Sequence, residues 1–256
     1  MLGAILFSIV SVSCGWFGYM IDRLMKNENP QEGLGMLCLL VFPSIFGIVY
    51  SLIYGAPSVK KNLNNWIIYN IVGLVFDPLV YVLLYLLIIV FRPSQKKGSV
   101  VLKSILNVFP KLLIKNVFEE YSWRGFLFPF LFSKYSFWIS SSITSVVWYF
   151  WHFPLWFVFT PREELLKVST FQNFYLNLLV IPLSLFLMGN IYHFLYLKTY
   201  SFILLIVMHT FNNSIVASFF AELCIEDHVL KPALTSPFYL FFLLVFNGYI
   251  FFFETL

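Results

Sequence analysis

Three apolar stretches of this sequence carry side chains of the kinds that activate water and hold an oxyanion. They are Phe118-Glu119-Glu120-Tyr121-Ser122-Trp123-Arg124-Gly125, Trp148-Tyr149-Phe150-Trp151-His152 and His209-Thr210-Phe211-Asn212-Asn213. On a helix, Glu120 and Arg124 stand four apart with the acid N-terminal, the favourable order for an ion pair, while Glu119 points about 100° away. One carboxylate is then neutralised and the other stays available as a general base for water. His209 and Asn213 share a helix face at i, i+4, and an imidazole beside a carboxamide can donate two hydrogen bonds to a developing oxyanion. Each group also has a plainer reading: a salt-bridge cluster at a helix end for Glu119, Glu120 and Arg124, a packed imidazole for His152, and an interhelical hydrogen bond for Asn213.

The elements that must position these groups lie in lipid. The 256 residues are 60% hydrophobic and only 11% charged, with a mean hydropathy of +0.85, where a soluble domain carries about 25% charged residues. An ionisable side chain within a spanning helix costs roughly 2.5–3.5 kcal/mol, so such residues usually mark a pathway or a site. Spans of about 20 apolar residues fall near Leu2–Tyr19, Gly35–Tyr54, Trp66–Phe91, Val117–Phe132, Phe137–Phe159, Phe171–Tyr192, Phe202–Phe220 and Pro237–Phe253. The expected fold is all-α, a polytopic transmembrane helical bundle of about eight spanning helices in one domain, residues 1–256.

Asp77-Pro78 interrupts the third span, which is counted as one kinked helix. Val100–Lys115, with Lys103, Lys111 and Lys115 among apolar residues, reads as an amphipathic segment at the membrane surface, broken at Pro110. Thr160-Pro161-Arg162-Glu163 matches a capping box that starts a new helix. Loops after the first and third spans hold eight Lys and Arg against two after the second. The positive-inside rule therefore puts the start of the fourth span and the end of the fifth on the cytoplasmic side.

Cys14, Cys38 and Cys224 lie far apart and form no C-x-x-C pair, so they read as packing residues. The net charge of +4 is spread over loops and suggests no nucleic-acid partner. His193 and His228 read as interfacial, solvated side chains, and Asp77 as a helix-break residue satisfied by nearby backbone.

Taken in order on three apolar helices, Glu119-Glu120-x-x-x-Arg124, Trp148-x-x-x-His152 and His209-x-x-x-Asn213 resemble the CAAX protease and bacteriocin-processing (CPBP, or Abi) family of intramembrane proteases. The resemblance covers about 117–215 and includes Leu197-Lys198-Thr199-Tyr200-Ser201, which looks like a family turn with Tyr200 where Gly is usual. Trp148 likewise stands where the family has Phe. Neither departure removes a chemical group, so both are expected to affect shape more than mechanism.

The resemblance implies that Glu119 and His152 activate water, that Glu120 and Arg124 hold the motif helix together, and that His209 and Asn213 stabilise the oxyanion. It implies a CAAX-type endopeptidase in the cell membrane acting on a peptide or lipidated protein, with roles in bacteriocin processing or self-immunity among its relatives. Glu119, His152 and His209 could also ligate a divalent metal such as zinc, with water in the fourth position. No H-E-x-x-H pair stands on one helix, so metal-dependent and metal-free mechanisms both remain open. Two other classes compete: a transporter or proton-relay subunit using the same intramembrane charges, and a non-catalytic immunity or scaffold protein that binds a partner through the bundle.

Overall fold

The computed structural model describes residues 2–27, 29, 33–56, 65–91, 98–159, 179, 181–223 and 230–253, and among them every regular element is helical. In chain order these are α1 (Leu2–Leu24), α2 (Leu34–Tyr54), α3 (Trp66–Phe91), α4 (Gly98–Glu120), a π-helix (Tyr121–Leu127), α5 (Phe128–Phe132), α6 (Phe137–Trp151), a second π-helical turn (Leu155–Phe159), α7 (Ile181–Thr199), α8 (Phe202–Leu223) and α9 (Leu230–Phe253). The all-α, multi-pass architecture is the expected one. The stretches Leu2–Leu24, Leu34–Tyr54 and Trp66–Leu83 are long and apolar enough to cross a membrane. Their outward faces carry Ile5, Ile9, Phe17, Ile45, Ile48 and Ile71 exposed, a surface suited to acyl chains and not to water.

One expectation about helix boundaries is corrected. The segment Val100–Lys115 is not broken at Pro110: α4 runs unbroken from Gly98 through Pro110 to Glu120. A helical proline removes one backbone bond and leaves the rest of the intrahelical ladder intact, so the helix continues across it. The acidic pair therefore lies inside a continuous helical run, where α4 passes into the turns that follow, and not at the first turn of a new helix. Asp77-Pro78 lies within the single helix α3, and the capping-box residues 160–163 lie outside the described residues.

The chain divides into two compact units, Met1–Lys60 with Phe118–His193, and Lys61–Val117 with Phe194–Thr255. In the first, α1 and α2 form an antiparallel hairpin locked by charge. Asp22, buried in the last turn of α1, accepts hydrogen bonds from the backbone N–H of Leu34 at 2.8 Å and of Gly35 at 2.7 Å. The carboxylate thus meets the orphan donors and positive dipole end of α2. Glycine at 35 permits this approach, since a Cβ there would stand 2.7 Å from Asp22 Oδ2 and 2.9 Å from the Phe159 ring.

A second tie joins α2 to α6. Pro43 lies inside α2 and gives the Leu39 carbonyl no N–H four residues on. The indole Nε1–H of Trp151 donates to that carbonyl at 2.9 Å, so a proline defect in one helix is satisfied by the end of another. Trp151→Phe is expected to cost about 1–3 kcal/mol through the orphaned carbonyl, read as a lower unfolding temperature in detergent. In a Pro43→Ala background, where residue 43 again supplies an N–H, the same change should cost markedly less. Around this tie, Phe7 packs on Trp123 and Phe126 with centroids 5.9 and 5.0 Å away, and Trp123 on Trp151 at 5.7 Å.

In the second unit, α3 packs against α8 and α9, with Phe76 on Phe246 at 5.2 Å. The Trp66 Nε1–H donates to the Thr199 carbonyl at 2.9 Å and joins the start of α3 to the end of α7. The chain turns from α7 into α8 at Tyr200, whose φ of +52° is left-handed. This explains why glycine suits the position in the resembling family: a side chain there is strained. Ser201 then opens α8, its Oγ accepting the Leu204 N–H at 3.1 Å, an N-cap.

Candidate active site

The acidic motif sits where α4 widens into the π-helix Tyr121–Leu127, in which the Phe128 N–H reaches the carbonyl of Trp123, five residues back. Pro129 supplies no N–H to the carbonyl of Gly125, and Gly125 carries no Cβ, so the local sequence tolerates the wider turn. Such turns often occur at functional sites. The Phe118 carbonyl, at the start of this stretch, accepts from the hydroxyls of Ser44 at 2.6 Å and Ser122 at 2.8 Å.

Glu120 and Arg124 form the expected pair. Arg124 Nη1 lies 3.0 Å from Glu120 Oε1, and both side chains are fully buried. The guanidinium is sandwiched between rings, 4.5 Å from the centroid of Trp148 and 4.9 Å from that of Tyr192, so the cation is stabilised by π faces as well as by the carboxylate.

Glu119, also buried, points elsewhere, and its Oε2 accepts the indole Nε1–H of Trp148 at 3.3 Å. Tryptophan for phenylalanine at 148, expected to affect shape more than mechanism, also adds a hydrogen bond here. The indole brings a hydrogen-bond donor that a phenyl ring lacks, and it aims that donor at the candidate base.

His152 caps α6, with its backbone N–H on the carbonyl of Tyr149 at 3.1 Å. Its ring Nδ1 lies 2.8 Å from the Trp148 carbonyl. A carbonyl only accepts, so Nδ1 carries a proton, and in the neutral ring Nε2 is then the acceptor. This is the arrangement of an imidazole that takes a proton or ligates a metal. The ring is stacked on Trp156 at 5.3 Å and 18°, which fixes its plane. Trp148 thus holds both groups, the carboxylate through its indole and the imidazole through its backbone.

The other expected residues belong to the second unit. His209 is buried and Asn213 half-buried on α8, one turn apart. The Asn213 Nδ2 donates to Asn116 Oδ1 at 3.1 Å. The structure brings Glu119, Glu120, Arg124 and Trp148 into one buried cluster with His152 one turn beyond Trp148, and sets His209 and Asn213 on a single helix face within the second unit. Among the described residues, no three His, Cys, Asp or Glu side chains are grouped as a metal site.

His193 is not the solvated side chain expected from its place near a span end. It is fully buried, lies flat on Phe128 at 4.1 Å and 7°, and its Nδ1 stands 2.6 Å from the Ser141 hydroxyl, which itself donates to Asn190 Oδ1. Small and polar residues let α6 and α7 approach this closely: a Cβ at Gly189 would collide with the Ser145 hydroxyl. The signal was present as Ser140-Ser141-Ser142-x-Thr144-Ser145 facing Gly189-Asn190-x-x-His193, although partners this far apart in sequence carry no periodicity. His228 and Cys224 lie outside the described residues.

Residues 101–215 match the family described as Type II CAAX prenyl endopeptidase Rce1-like. The chain is also 36% identical over 104 residues to CAAX prenyl protease 2 of the archaeon Methanococcus maripaludis, an alignment covering 40% of this chain and 36% of that protein. The chain thus spans about a third of the length of the curated relative it matches. Both motif helices of the first unit and the His209-x-x-x-Asn213 helix face fall within the matched family segment.

Proposed function

We propose that the chain, whose residues 101–215 match the Rce1-like family of type II CAAX prenyl endopeptidases and which resembles a CAAX prenyl protease over part of its length, is an intramembrane endopeptidase of the CAAX type. Its substrate is a prenylated or otherwise membrane-associated peptide, cut near the cytoplasmic leaflet, and bacteriocin processing or self-immunity is one setting for it. The observation that carries this reading is the division of labour between two adjacent buried carboxylates. Glu120 is neutralised by Arg124 at 3.0 Å, while Glu119 is held by the Trp148 indole.

In the proposed reaction, a water molecule loses a proton to Glu119 as its oxygen adds to the scissile carbonyl. The His152 Nε2 lone pair accepts the water's second hydrogen bond. The oxyanion donors that the family resemblance implies are His209 and Asn213. When the tetrahedral intermediate collapses, the C–N bond breaks and Glu119 returns its proton to the leaving amine, so the base is regenerated.

Glu119, His152 and His209 are donor types that zinc accepts, but among the described residues no three His, Cys, Asp or Glu side chains are grouped to hold a metal. The steps above use only the chain's own groups.

The test is direct. Purified chain, incubated in lipid with a prenylated peptide ending in a CAAX sequence, is expected to release a C-terminal fragment, more slowly from the unprenylated peptide. Folded protein that releases nothing from any lipidated or membrane peptide would shift the reading to a non-catalytic immunity or scaffold protein. Activity lost to a chelator and restored by zinc would place a metal in the reaction.

A further inference from the structure

A carboxamide is nearly symmetric in shape but not in chemistry: only its nitrogen end can stabilise an oxyanion. A relay of hydrogen bonds within the second unit fixes which end of Asn213 is which. The Thr210 hydroxyl donates to the Ile206 carbonyl at 2.6 Å, so its oxygen is left to accept. It accepts from Asn116 Nδ2 at 3.1 Å. That orients the Asn116 amide with Oδ1 turned the other way, where it accepts from Asn213 Nδ2 at 3.1 Å. Every direction in the chain follows from the backbone carbonyl at its start, since a backbone oxygen cannot donate. Asn116 and Thr210 are fully buried, where an oxygen facing an oxygen would be costly. A flipped Asn213 would put Oδ1 against Asn116 Oδ1.

We propose that Asn116 and Thr210 are positioning residues that form a polarity lock on Asn213, holding its amide nitrogen inward and leaving its second Nδ2–H as the donor for the reaction. The inference rests on the peptidase reading for its use, but not for its existence. Asn116 touches neither substrate nor water in this scheme and acts only through Asn213. The half-buried state of Asn213, beside two fully buried partners, fits a group anchored on one side and open on the other.

The test is a double-mutant cycle with an independent readout. Asn116→Ala and Thr210→Val are expected to lower kcat by about 3–10-fold with KM unchanged, the scale of immobilising one side chain. Asn213→Ala should cost about 10²–10³-fold, and adding Asn116→Ala to it should cost nothing more. Asn116→Asp, which presents an oxygen to Asn213 in either protonation state, should restore most of the rate. If Asn116→Ala lowers kcat by the same factor with and without Asn213, the relay merely supports packing and the lock is overturned.

A wild-type chain that cleaves no peptide would count against the peptidase reading alone, because the lock has a readout of its own. In protein carrying ¹⁵N-asparagine, one Asn213 Nδ2 proton should exchange slowly with water and the other fast, and Asn116→Ala should make both fast. Two equally fast protons in the wild type would sink the proposal whatever the activity.

Discussion

Glu119→Gln is expected to lower kcat by about 10²–10⁴-fold, the usual cost of a lost general base, while the unfolding temperature stays close to that of the wild type. The two halves of this expectation have separate causes. Glutamine keeps the length of the side chain and an oxygen to accept the Trp148 indole N–H, which now reaches Glu119 Oε2 at 3.3 Å, so packing and hydrogen bonding survive. It cannot take a proton from water. Parallel measurement of peptide cleavage and thermal unfolding in the same detergent separates the two. Full cleavage by folded Glu119→Gln protein would remove Glu119 from the chemistry, and a wild-type cellular phenotype from that protein would favour a binding role over catalysis.

Arg124→Ala is expected to act on the opposite quantity. Removing one member of a buried pair leaves an uncompensated charge and costs about 3–5 kcal/mol, and here Glu120 is the charge left behind, with both partners fully buried at 3.0 Å. The cavity between the rings of Trp148 and Tyr192 adds to that loss. The variant should unfold at a markedly lower temperature and lose activity in step with folded protein. Arg124→Lys should fall between, since it keeps the cation but not the flat group that stacks on both rings. Arg124→Ala protein as stable as the wild type would show that Glu120 is satisfied by other means.

The Glu120–Arg124 pair was legible in the sequence because its geometry is local: four residues on one helix bring the two groups together whether the turn is α or slightly wider. The helical, lipid-facing character of the chain was legible for a similar reason, since composition alone fixes it. What escaped depended on partners distant in sequence. Nothing near His193 announces Ser141, and nothing near Leu39 announces that Trp151 supplies the donor that Pro43 withholds. The length of α4 escaped because Pro110 and the lysines at 103, 111 and 115 resemble an interruption, although a helical proline removes only one backbone bond. At Trp148 and Tyr200 the sequence showed a departure from the family pattern but not its content. One proved to be an added hydrogen-bond donor and the other a side chain in a left-handed turn.

The π-helix at Tyr121–Leu127 has a bearing on what insertions and deletions this gene region can accept. A wide turn of this kind is, in effect, an α-helix that has gained one residue and kept its ends in place. Deleting a single codon within it would therefore permit an ordinary α-helix, with better local bonding than before. It would leave the residues beyond the deletion facing as they do now, with Phe128 still on His193, against which it lies flat at 4.1 Å, and would move only the side chains of the wide turn itself relative to α4. A loss of length here thus makes the local helix more regular and spares the helix that follows, and what it alters is the placement of the side chains within Tyr121–Leu127, Arg124 among them.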